Sequence, residues 1–382
     1  MIFFLNYSIG PYHAARFKAL QARLNEKVFF VELASRDTIY PWVNQANQIQ
    51  AVTLYPGGEF AKISSAEMVK TLLQLLERIK PDVVLSVSYA SAAMRAATIW
   101  ARKNNAVSIC VTETLKGDKP RFLFWEIAKG MWCRFAYDAI FMGGILSKAY
   151  YQGLGYPGSQ IWLGQNCVDN DYFANNSIKV RKREEYYREK YKLPAKYFLC
   201  VARLSPEKNL ERLIRSFSLY KAKGGNWDLV IVGSGPMDQT LKDLAAKAEI
   251  SKNVFFMGWK QLDELPIFYA LASCFILPSV SEPWGLVVNE AMASSLPVLV
   301  SNKCGCIPEL CHRGVNGFDF NPYNEKEIAD VMMKMSSEEC DRLSMAQASW
   351  NLVRNYSTEN YAASLSDCIV SFRKIKSNNL LR

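Results

Sequence analysis

The sequence lacks the features of a protein that spans a membrane. No uninterrupted apolar run in its 382 residues reaches the roughly 18 to 20 residues that a bilayer crossing requires. The best candidate, residues 83–100, contains Arg95 and several serines. Residues 1–7 have no basic lead and no long apolar run, so we expect a first strand there and not a signal peptide. We therefore expect a cytoplasmic protein that can lie at the cytoplasmic face of a membrane.

Cysteine and histidine do not form the patterns that are typical of metal sites or of disulfide frameworks. Ten cysteines are spread over the whole chain, and several lie in apolar runs, as reduced thiols do. Cys304, Cys306, Cys311 and His312 have a Cys-x-Cys-x4-Cys-His spacing, which differs from the usual paired zinc ligands. We interpret them as part of a glycine-centred loop after a strand, and we expect neither a metal nor a cofactor.

Acidic residues are fewer than basic residues, and most of the difference lies in the first half of the sequence. The net charge is +10, and residues 1–168 hold 18 Lys and Arg against 11 Asp and Glu. An excess of this sign indicates an anionic partner. Because the chain has no signature of a nucleic-acid-binding module, we expect no nucleic acid. An anionic membrane surface or a phosphorylated acceptor fits better.

Short β-rich runs alternate with helical runs in two series, which predicts parallel β-α-β winding in two doubly wound domains. The first domain is expected at 1–168, with a last helix at 360–382 that returns to it. Residues 169–195 are expected to form a linker and a charged helix, and residues 196–359 the second domain. The two domains are expected to face each other across a cleft that receives the strand-to-helix junctions.

Residues 281–293 place two carboxylates, Glu282 and Glu290, eight positions apart around a predicted helix start near Trp284. The first amides of a helix are unpaired donors at a positive dipole end, so they can hold a diphosphate without a metal. Acids are also common at helix ends for no functional reason. We prefer the functional reading because the preceding run, 274–279, reads as a buried strand that brings this turn to the carboxyl edge of a parallel sheet.

Two cations follow another predicted strand, 197–202. Arg203 and Lys208 are five positions apart across a turn, so a guanidinium fork and a point charge can reach one diphosphate. Cations are unfavourable at a helix start unless an anion joins them, which favours a ligand over incidental surface charge. Glycine turns end two further strands, at 233–236 and 258–259. Alone, the turn at 233–236 is more typical of a generic strand-to-helix turn than of a phosphate site, and the turn at 258–259 is as typical of strand termination as of a contact with a base.

Five segments together, in this order and spacing, resemble the retaining glycosyltransferases of family 4, which have the twin-Rossmann GT-B fold. The segments are V-A-R-L-S-P-E-K-N at 201–209, V-G-S-G-P at 232–236, F-M-G at 256–258, P-S…E-P-W-G-L…E-A at 278–291 and G-V-N-G-F at 314–318. The resemblance covers 197–321 strongly and the N-terminal half more loosely. It departs at 303–309, where the family usually has paired glycines and this chain has Cys304-Gly305-Cys306.

The resemblance implies a nucleotide-sugar donor. Arg203 and Lys208 would bind its diphosphate, Glu290 its ribose, and Glu282 its sugar hydroxyls near the reacting carbon. Further donor contacts are implied for a set of residues in the loops that follow the strands: Gly233, Gly258, Trp259, Pro283, Trp284, Gly285 and Leu286.

A glycine-bearing loop after the first predicted strand carries candidates on the acceptor side. The resemblance places Gly10 in an acceptor loop and gives Glu113 the position where many members have a histidine or an acid. His13, one of two histidines, stands near Arg16 at the first helix start. Its imidazole either binds a sugar hydroxyl, relays a proton, or packs at the surface. We name His13 and Glu282 as catalytic candidates, and Gly10, Arg16 and Glu113 as acceptor-side candidates.

Residues 116–134 interleave basic and aromatic side chains. Lys116, Lys119, Arg121, Lys129 and Arg134 alternate with Phe122, Leu123, Phe124, Trp125 and Trp132. This pattern suits an interfacial helix whose rings enter a lipid headgroup layer. It also suits an amphipathic helix that faces the core and keeps its basic side in water.

The sequence thus predicts a metal-independent retaining glycosyltransferase of GT-B architecture. It would move a sugar from a nucleotide-sugar donor, a UDP-sugar before a GDP-sugar, to a saccharide or lipid-linked acceptor in cell-surface polysaccharide or glycolipid synthesis. Two other classes stay open: a nucleotide-sugar epimerase of the same architecture, and a non-catalytic binder of anionic ligands.

Overall fold

A computed structural model of the chain describes residues 1–36, 41–116 and 122–380. Two compact units make up this structure. Unit 1 comprises Met1–Val168 and Ser357–Arg382, and unit 2 comprises Asp169–Tyr356. Both units have an open parallel sheet covered by helices, as the alternation of strands and helices in the sequence predicts.

Unit 1 has a seven-stranded parallel sheet in the order β3-β2-β1-β4-β5-β6-β7. Its strands are β1 (Ile2–Asn6), β2 (Val28–Arg36), β3 (Val52–Glu59), β4 (Val83–Val87), β5 (Val107–Thr112), β6 (Ala139–Met142) and β7 (Ile161–Leu163). Its first helices are α1 (Pro11–Arg23), α2 (Ser65–Ile79), α3 (Ala92–Lys103), α4 (Leu123–Ala136) and α5 (Ile145–Gly153).

Strand β1 shows why this sheet is buried on both faces. All five of its residues are buried, as the continuous apolar run of a parallel strand requires. Phe4 packs on the α1 side, where its ring centroid lies 4.7 Å from that of Phe17. Phe3 and Leu5 point to the opposite face, into the core formed with α2 and α3. Side chains that alternate along one strand therefore serve two separate cores.

Unit 2 has a six-stranded parallel sheet in the order β10-β9-β8-β11-β12-β13. Its strands are β8 (Tyr197–Val201), β9 (Asp228–Val232), β10 (Val254–Phe256), β11 (Cys274–Leu277), β12 (Val298–Ser301) and β13 (Gly317–Phe320). The last of these, β13, is not predicted by our sequence analysis, because a four-residue strand that begins with glycine resembles a turn.

The helices of unit 2 lie between and around these strands. They are α6 (Asn170–Arg181), α7 (Glu184–Tyr191), α8 (Leu210–Ala222), α9 (Asp238–Lys247), α10 (Leu265–Leu271), α11 (Leu286–Ala293), α12 (Ile307–Leu310), α13 (Glu325–Ser336) and α14 (Arg342–Val353). Residues 169–195 were expected to form a linker and one charged helix, but they fold into the two helices α6 and α7. Arg181 holds α6 in unit 2 by donating to the carbonyls of Ala270, at 3.1 Å, and Ser294, at 2.5 Å.

The last helix, α15 (Thr358–Leu380), belongs to unit 1. It packs along α1 and buries Tyr361, Leu365 and Ile369 in the core on that face of the sheet. The return of the last helix to the first domain is therefore observed, and α15 begins two residues before the expected position. No helix in the described parts of the chain is both long and apolar enough to cross a membrane.

Candidate active site

The candidate site lies in unit 2, where the strand order reverses. β8 pairs with β9 on one side and with β11 on the other, so the loops after β8 and β11 leave neighbouring strands at the same sheet edge. Open α/β sheets bind their ligands at this switch point. The loop after β8 carries Arg203 and Lys208, and the loop after β11 carries Glu282.

Lys208 and Glu282 form an ion pair between these two loops. The Lys208 ammonium donates a hydrogen bond to Glu282 Oε2, and the two side chains are only 14% and 12% exposed. Residues that lie 74 positions apart in the sequence therefore meet at the switch point. Partial burial strengthens the attraction between the two charges, because less water screens them.

Arg203 is fixed within its own loop by Glu207. An Nη2–H of Arg203 and the hydroxyl of Ser205 both donate to Glu207 Oε1, each at 2.6 Å. Burial opposes the charged form of Glu207, but the hydrogen bonds from Ser205 and Arg203 prevail and lower its pKa to about 2. Glu207 therefore stays ionised at neutral pH and holds the guanidinium in place. The role of Glu207 was not predicted from the sequence, although its i, i+4 spacing from Arg203 is a usable signal.

Asn209 links the loop after β8 to the loop after β11 by hydrogen bonds. It has a left-handed backbone, with φ at 58°, and its amide Nδ2 donates to the carbonyls of Pro278, at 3.0 Å, and Pro322, at 2.9 Å. The backbone N–H of Val280 donates to the Glu207 carbonyl at 2.9 Å. Short polar asparagine tolerates this left-handed conformation better than most residues. Our sequence analysis missed this role, because both partners of its amide are distant in sequence.

The glycine turn after β9 packs directly on the loop that carries Arg203. Gly233 has φ at 142°, and a Cβ there would lie 1.9 Å from the carbonyl oxygen of Ala202. Its N–H donates to the Gly258 carbonyl at 2.9 Å, and Leu204 N–H donates to the Ser234 carbonyl at 2.9 Å. Only glycine allows this approach. Within unit 2 the observed role of Gly233 is therefore to support the neighbouring loop, and its donor contact stays a prediction.

Helix α11 starts at Leu286, two residues later than the sequence indicated, because Gly285 takes a left-handed conformation and caps it. Trp284 is buried with 2% of its surface exposed, and its indole N–H donates to Asn289 Oδ1 at 2.8 Å. The Trp284 side chain therefore belongs to the core, and only the backbone of this residue can contact a nucleotide-sugar. Pro283 lies in the same turn, half-buried.

Glu290 lies about one turn into α11 and is completely buried. Its Oε2 accepts a hydrogen bond from the Tyr269 hydroxyl at 2.8 Å, which supplies a partner in the interior. The second carboxylate of the pair is thus stabilised by a neighbouring helix, α10. Gly258 is exposed and Trp259 is half-buried after β10. The predicted ribose and base contacts of these residues stay predictions.

The loop after β12 braces the backbone around Glu282. Gly305 N–H donates to the Glu282 carbonyl at 2.9 Å, and Cys306 N–H donates to the Trp284 carbonyl at 3.3 Å. Cys304 and Cys306 are buried free thiols, and burial raises their pKa values well above the ordinary value. In the described ranges, no group of three or more His, Cys, Asp or Glu side chains is placed to hold a metal ion.

Comparison with known families decides the class of this segment. Residues 183–351, which contain the Lys208–Glu282 pair, match the sequence model of a family described as glycosyl transferases group 1. Residues 183–351 belong to the group 1 glycosyltransferases. The resemblance found in the sequence is thereby confirmed at the level of group 1, and the finer assignment to family 4 stays a prediction.

Characterised and uncharacterised relatives match parts of the chain. An uncharacterised glycosyltransferase, MJ1607, of Methanocaldococcus jannaschii is 39% identical over 35% of this chain and 34% of its own length. The sulfoquinovosyl transferase SQD2 of Arabidopsis thaliana is 28% identical over 77% of this chain and 59% of its own length. A GDP-mannose-dependent phosphatidylinositol monomannoside mannosyltransferase of Mycobacterium tuberculosis is 29% identical over 47% and 49%. The matched stretches thus span about a third to three fifths of these relatives.

Solved structures match nearly the whole chain in fold. Anabaena Alr3699/HepE, solved in complex with UDP, superposes with a TM-score of 0.76 at 15% identity and covers 97% of this chain and 99% of its own. Sucrose-phosphate synthase from Thermosynechococcus elongatus has a TM-score of 0.74 at 16% identity, with 99% of both chains covered. These neighbours share the GT-B fold, so the predicted fold class of the chain is confirmed.

The acceptor-side candidates lie in unit 1, around the loop after β1. Gly10 caps α1, and its N–H donates to His13 Nδ1 at 3.3 Å. Burial, and then the charge of Arg16, lower the pKa of His13 to about 3. The ring is therefore neutral at physiological pH. Because Nδ1 accepts a hydrogen bond, the ring proton lies on Nε2, where it can be donated to a hydroxyl.

Two buried groups support this loop, and one of them was a site candidate. Arg16 is only 3% exposed and donates twice to the Cys167 carbonyl, from Nε at 3.0 Å and from Nη2 at 2.7 Å. What the structure shows for Arg16 is thus a supporting role inside unit 1. Glu32 on β2 is completely buried, and its Oε2 accepts from Ile9 N–H at 2.7 Å. Sequence reasoning missed Glu32, although an acid within an apolar strand is a signal. Glu113 directly follows β5 and is half-buried.

Proposed function

We propose that the chain is a retaining glycosyltransferase that takes a nucleotide-sugar donor and requires no metal ion. The observation that carries the proposal is the pairing of Lys208 with Glu282 at the switch point of a group 1 segment, beside Arg203. A cation for the diphosphate and a carboxylate for the sugar hydroxyls are what such a donor needs at one place.

The chemistry assigned to these groups is stabilisation of the leaving group. When the bond between the sugar and the diphosphate breaks, its electrons pass to the diphosphate, and Arg203 and Lys208 offset the growing negative charge. The acceptor hydroxyl forms the new bond on the same face of the sugar and passes its proton to the oxygen of the leaving diphosphate. When the donor binds, before the reaction, the Lys208 ammonium leaves Glu282 and binds a phosphate oxygen. The Glu282 carboxylate then accepts hydrogen bonds from the sugar hydroxyls. Fixed donors of this kind need no rearrangement at the moment of reaction.

The other candidates receive supporting roles in the proposal. Glu290 binds the ribose hydroxyls, the turn at Gly258 and Trp259 meets the base, and backbone groups around Gly285 and Leu286 contact the diphosphate. His13 is assigned to hydrogen bonding with a sugar hydroxyl, because a ring with a pKa near 3 is neutral and cannot act as an imidazolium acid at pH 7.

The donor and the acceptor are proposed by class. We propose a UDP-sugar first and a GDP-sugar second: Alr3699/HepE is solved with UDP and with UDP-glucose, and the mycobacterial relative is named as GDP-mannose-dependent. The acceptor is proposed to be a saccharide or a lipid-linked saccharide, in cell-surface polysaccharide or glycolipid synthesis. Its support is the excess of 18 Lys and Arg over 11 Asp and Glu in residues 1–168, which suits an anionic acceptor.

The test is a donor screen followed by product analysis. UDP, GDP and their common sugar conjugates are compared by thermal stabilisation of the full chain, and each stabilising conjugate is then assayed for release of free nucleotide. Stabilisation and nucleotide release are expected, and both should disappear in Arg203→Ala. An isomerised donor without nucleotide release would instead establish an epimerase. Salt-sensitive binding to anions with no response to any sugar nucleotide would establish a non-catalytic binder.

A further inference from the structure

Helix α4 of unit 1 carries its large apolar side chains on the outside. Six of them, in or next to this helix, are between 54% and 76% exposed: Phe122, Phe124, Trp125, Ile127, Met131 and Phe135. An ordinary surface helix such as α2 does the opposite and buries its apolar residues. Exposed apolar patches of this size mark interaction sites on soluble proteins.

Steric contacts fix which side of α4 faces inward. Gly130 lies so close to the end of α5 that a Cβ there would be 2.8 Å from the carbonyl oxygen of Leu154. Cys133 and Ala136, on the same side, are buried. Only small residues fit at this contact, so the helix cannot rotate to bury its aromatic side chains without losing this close packing.

Polar contacts fix the same orientation. The Lys129 ammonium donates to the Tyr150 hydroxyl at 2.7 Å and lies 5.4, 4.4 and 5.2 Å from the ring centroids of Tyr89, Tyr150 and Tyr151. The Tyr150 hydroxyl also donates to Glu126. An ammonium among aromatic rings is stabilised by their π faces. Glu126 and Lys129 are therefore used inside unit 1, whereas the large apolar side chains of α4 stay exposed.

The exposed apolar side chains follow one stripe along α4. Phe124, Ile127, Met131 and Phe135 are spaced by three, four and four residues, which places them on one side of a helix. Trp125 flanks the stripe. We call these five side chains the α4 face.

The charges around the α4 face select the kind of partner. Residues 116–134 contain five basic and two acidic residues. Lys129 and Glu126 both bind Tyr150 inside unit 1, which leaves four basic residues and one acidic residue. Arg134 is exposed next to the stripe, and the Arg102 guanidinium of α3 lies 5.3 Å from the ring centroid of Phe135. Lys119 and Arg121 lie outside the described residues and enter this count by sequence alone. A second copy of the chain would bring like charges together, whereas an anionic bilayer offers both an apolar phase and negative headgroups.

We propose that the α4 face inserts into the headgroup layer of an anionic lipid bilayer and binds the chain peripherally to it. Aromatic rings and methionine enter the interfacial layer while Arg134, beside them, contacts anionic headgroups. The inference goes beyond sugar transfer, because lipid binding through this face requires no sugar nucleotide. It selects the interfacial orientation for the described part of 116–134, residues 116 and 122–134.

The test is sedimentation of the full chain with vesicles. Vesicles of phosphatidylcholine alone are compared with vesicles containing about one third phosphatidylglycerol, an anionic lipid. Wild-type protein is expected to bind the anionic vesicles, and more weakly the neutral ones. The variant Phe124→Ser/Trp125→Ser/Met131→Ser should bind at least about tenfold more weakly, since each ring or thioether buries apolar surface on insertion. The matched control is Leu343→Ser, because Leu343 is 86% exposed on α14 of unit 2 and should not affect vesicle binding.

Three results would overturn the inference. Wild-type protein could fail to bind anionic vesicles, or the triple variant could bind as well as the wild type. Alternatively, sedimentation equilibrium without lipid could show a dimer that the triple variant abolishes, which would make the α4 face a contact between copies. Thermal stabilisation by UDP is measured on every variant: retained stabilisation separates loss of lipid binding from loss of the donor site. If the triple variant does not fold, Arg134→Glu replaces it in the test. This variant should bind anionic vesicles more weakly than the wild type does, and its binding to neutral vesicles should be unchanged.

Discussion

The two sheets of the molecule share one strand order around their first strands, yet the loops after those strands carry different chemistry. After β8, the loop presents two cations, Arg203 and Lys208, each paired with a carboxylate. After β1, the corresponding loop leads into α1, where the low pKa of His13 keeps the ring neutral, and a buried acid, Glu32, accepts from the N–H of Ile9 in the loop. The same strand order therefore creates a switch point in each unit, and the residues of the adjoining loop determine which ligand that switch point can bind.

This difference indicates a division of roles between the two loops. Paired charges at a switch point are suited to a ligand that brings strong charge of its own, because the ligand can take over one partner of each pair. A neutral imidazole that carries its proton on Nε2 is suited to an uncharged hydroxyl. Two kinds of experiment test this contrast: removal of charges from the loop after β8, and measurement of the ionisation of His13 after β1.

The largest effect is expected from Lys208→Ala. Loss of the ammonium removes stabilisation of the leaving diphosphate, so kcat should fall by about 100-fold or more. Glu282, only 12% exposed, then loses this partner, and the free energy of unfolding should fall by about 1–3 kcal/mol. Donor turnover and urea denaturation measure the two effects.

The control for this prediction separates catalysis from stability. Lys208→Met/Glu282→Gln removes both charges, so it should recover most of the lost stability without recovering turnover. Lys223→Ala breaks an ion pair with Asp330 whose side chains are 39% and 52% exposed, and should change stability by no more than about 1 kcal/mol. Near-normal turnover in Lys208→Ala would contradict the assigned role.

The next largest effect concerns the support of the charged loop. In Gly233→Ala the new Cβ would lie 1.9 Å from the Ala202 carbonyl oxygen at a φ of 142°, so the free energy of unfolding should fall by about 3 kcal/mol or more. Gly258→Ala is the matched comparison, since nothing lies within 4 Å of its Cβ, and it should cost about 1 kcal/mol. Equal denaturation midpoints for the two variants would show that the close packing on Ala202 is not what requires glycine.

The sequence predicts the winding well because periodic apolar runs report local structure. The strands β8 and β11 lie within two residues of the expected runs 197–202 and 274–279, and β9 and β10 end shortly before the expected glycine turns. In contrast, β13, with the sequence G-F-D-F, is too short to be distinguished from a turn. Residues 169–195 are polar and charged, which predicts a linker. They form α6 and α7 because arginines such as Arg181 bond to carbonyls of distant segments, and such contacts leave no local pattern.

The site divides in the same way. The sequence motifs identify Arg203, Lys208 and Glu282, and the structure brings Lys208 and Glu282 into contact. The sequence does not identify Asn209 as the link between the two loops, because its hydrogen bonds to Pro278 and Pro322 depend on tertiary structure. Nor does it show that the Trp284 ring lies in the core, since a tryptophan beside glycine is compatible with either a buried or an exposed position.

A smaller effect is expected where Asn209 links the two loops. Asn209→Ala removes both hydrogen bonds to buried carbonyls and places a less tolerant residue at a φ of 58°, so stability should fall by about 2 kcal/mol. Asn209→Gly keeps the backbone conformation and loses only the hydrogen bonds, so it should be the milder change. A raised donor KM in both variants, with kcat less affected, would show that the link positions the loops. If both variants bind the donor as the wild type does, the link serves stability alone.

The smallest effect concerns ionisation in the loop after β1. His13 has a pKa near 3 in the folded chain against an ordinary value of 6.5, because burial and Arg16 disfavour the imidazolium. A lowered pKa means that the neutral ring contributes stability above pH 6.5, and that this contribution is lost as the pH falls from 6.5 toward 3. Protonation would also remove Nδ1 as the acceptor for Gly10 N–H. Nitrogen-15 NMR of the ring is expected to show a neutral His13 protonated on Nε2 at pH 5, with His312→Asn assigning the signals of the two histidines. His13→Gln should flatten the dependence of stability on pH below 6.5, whereas a ring that titrates near 6.5 would make the loop a second charged position and remove the contrast with the loop after β8.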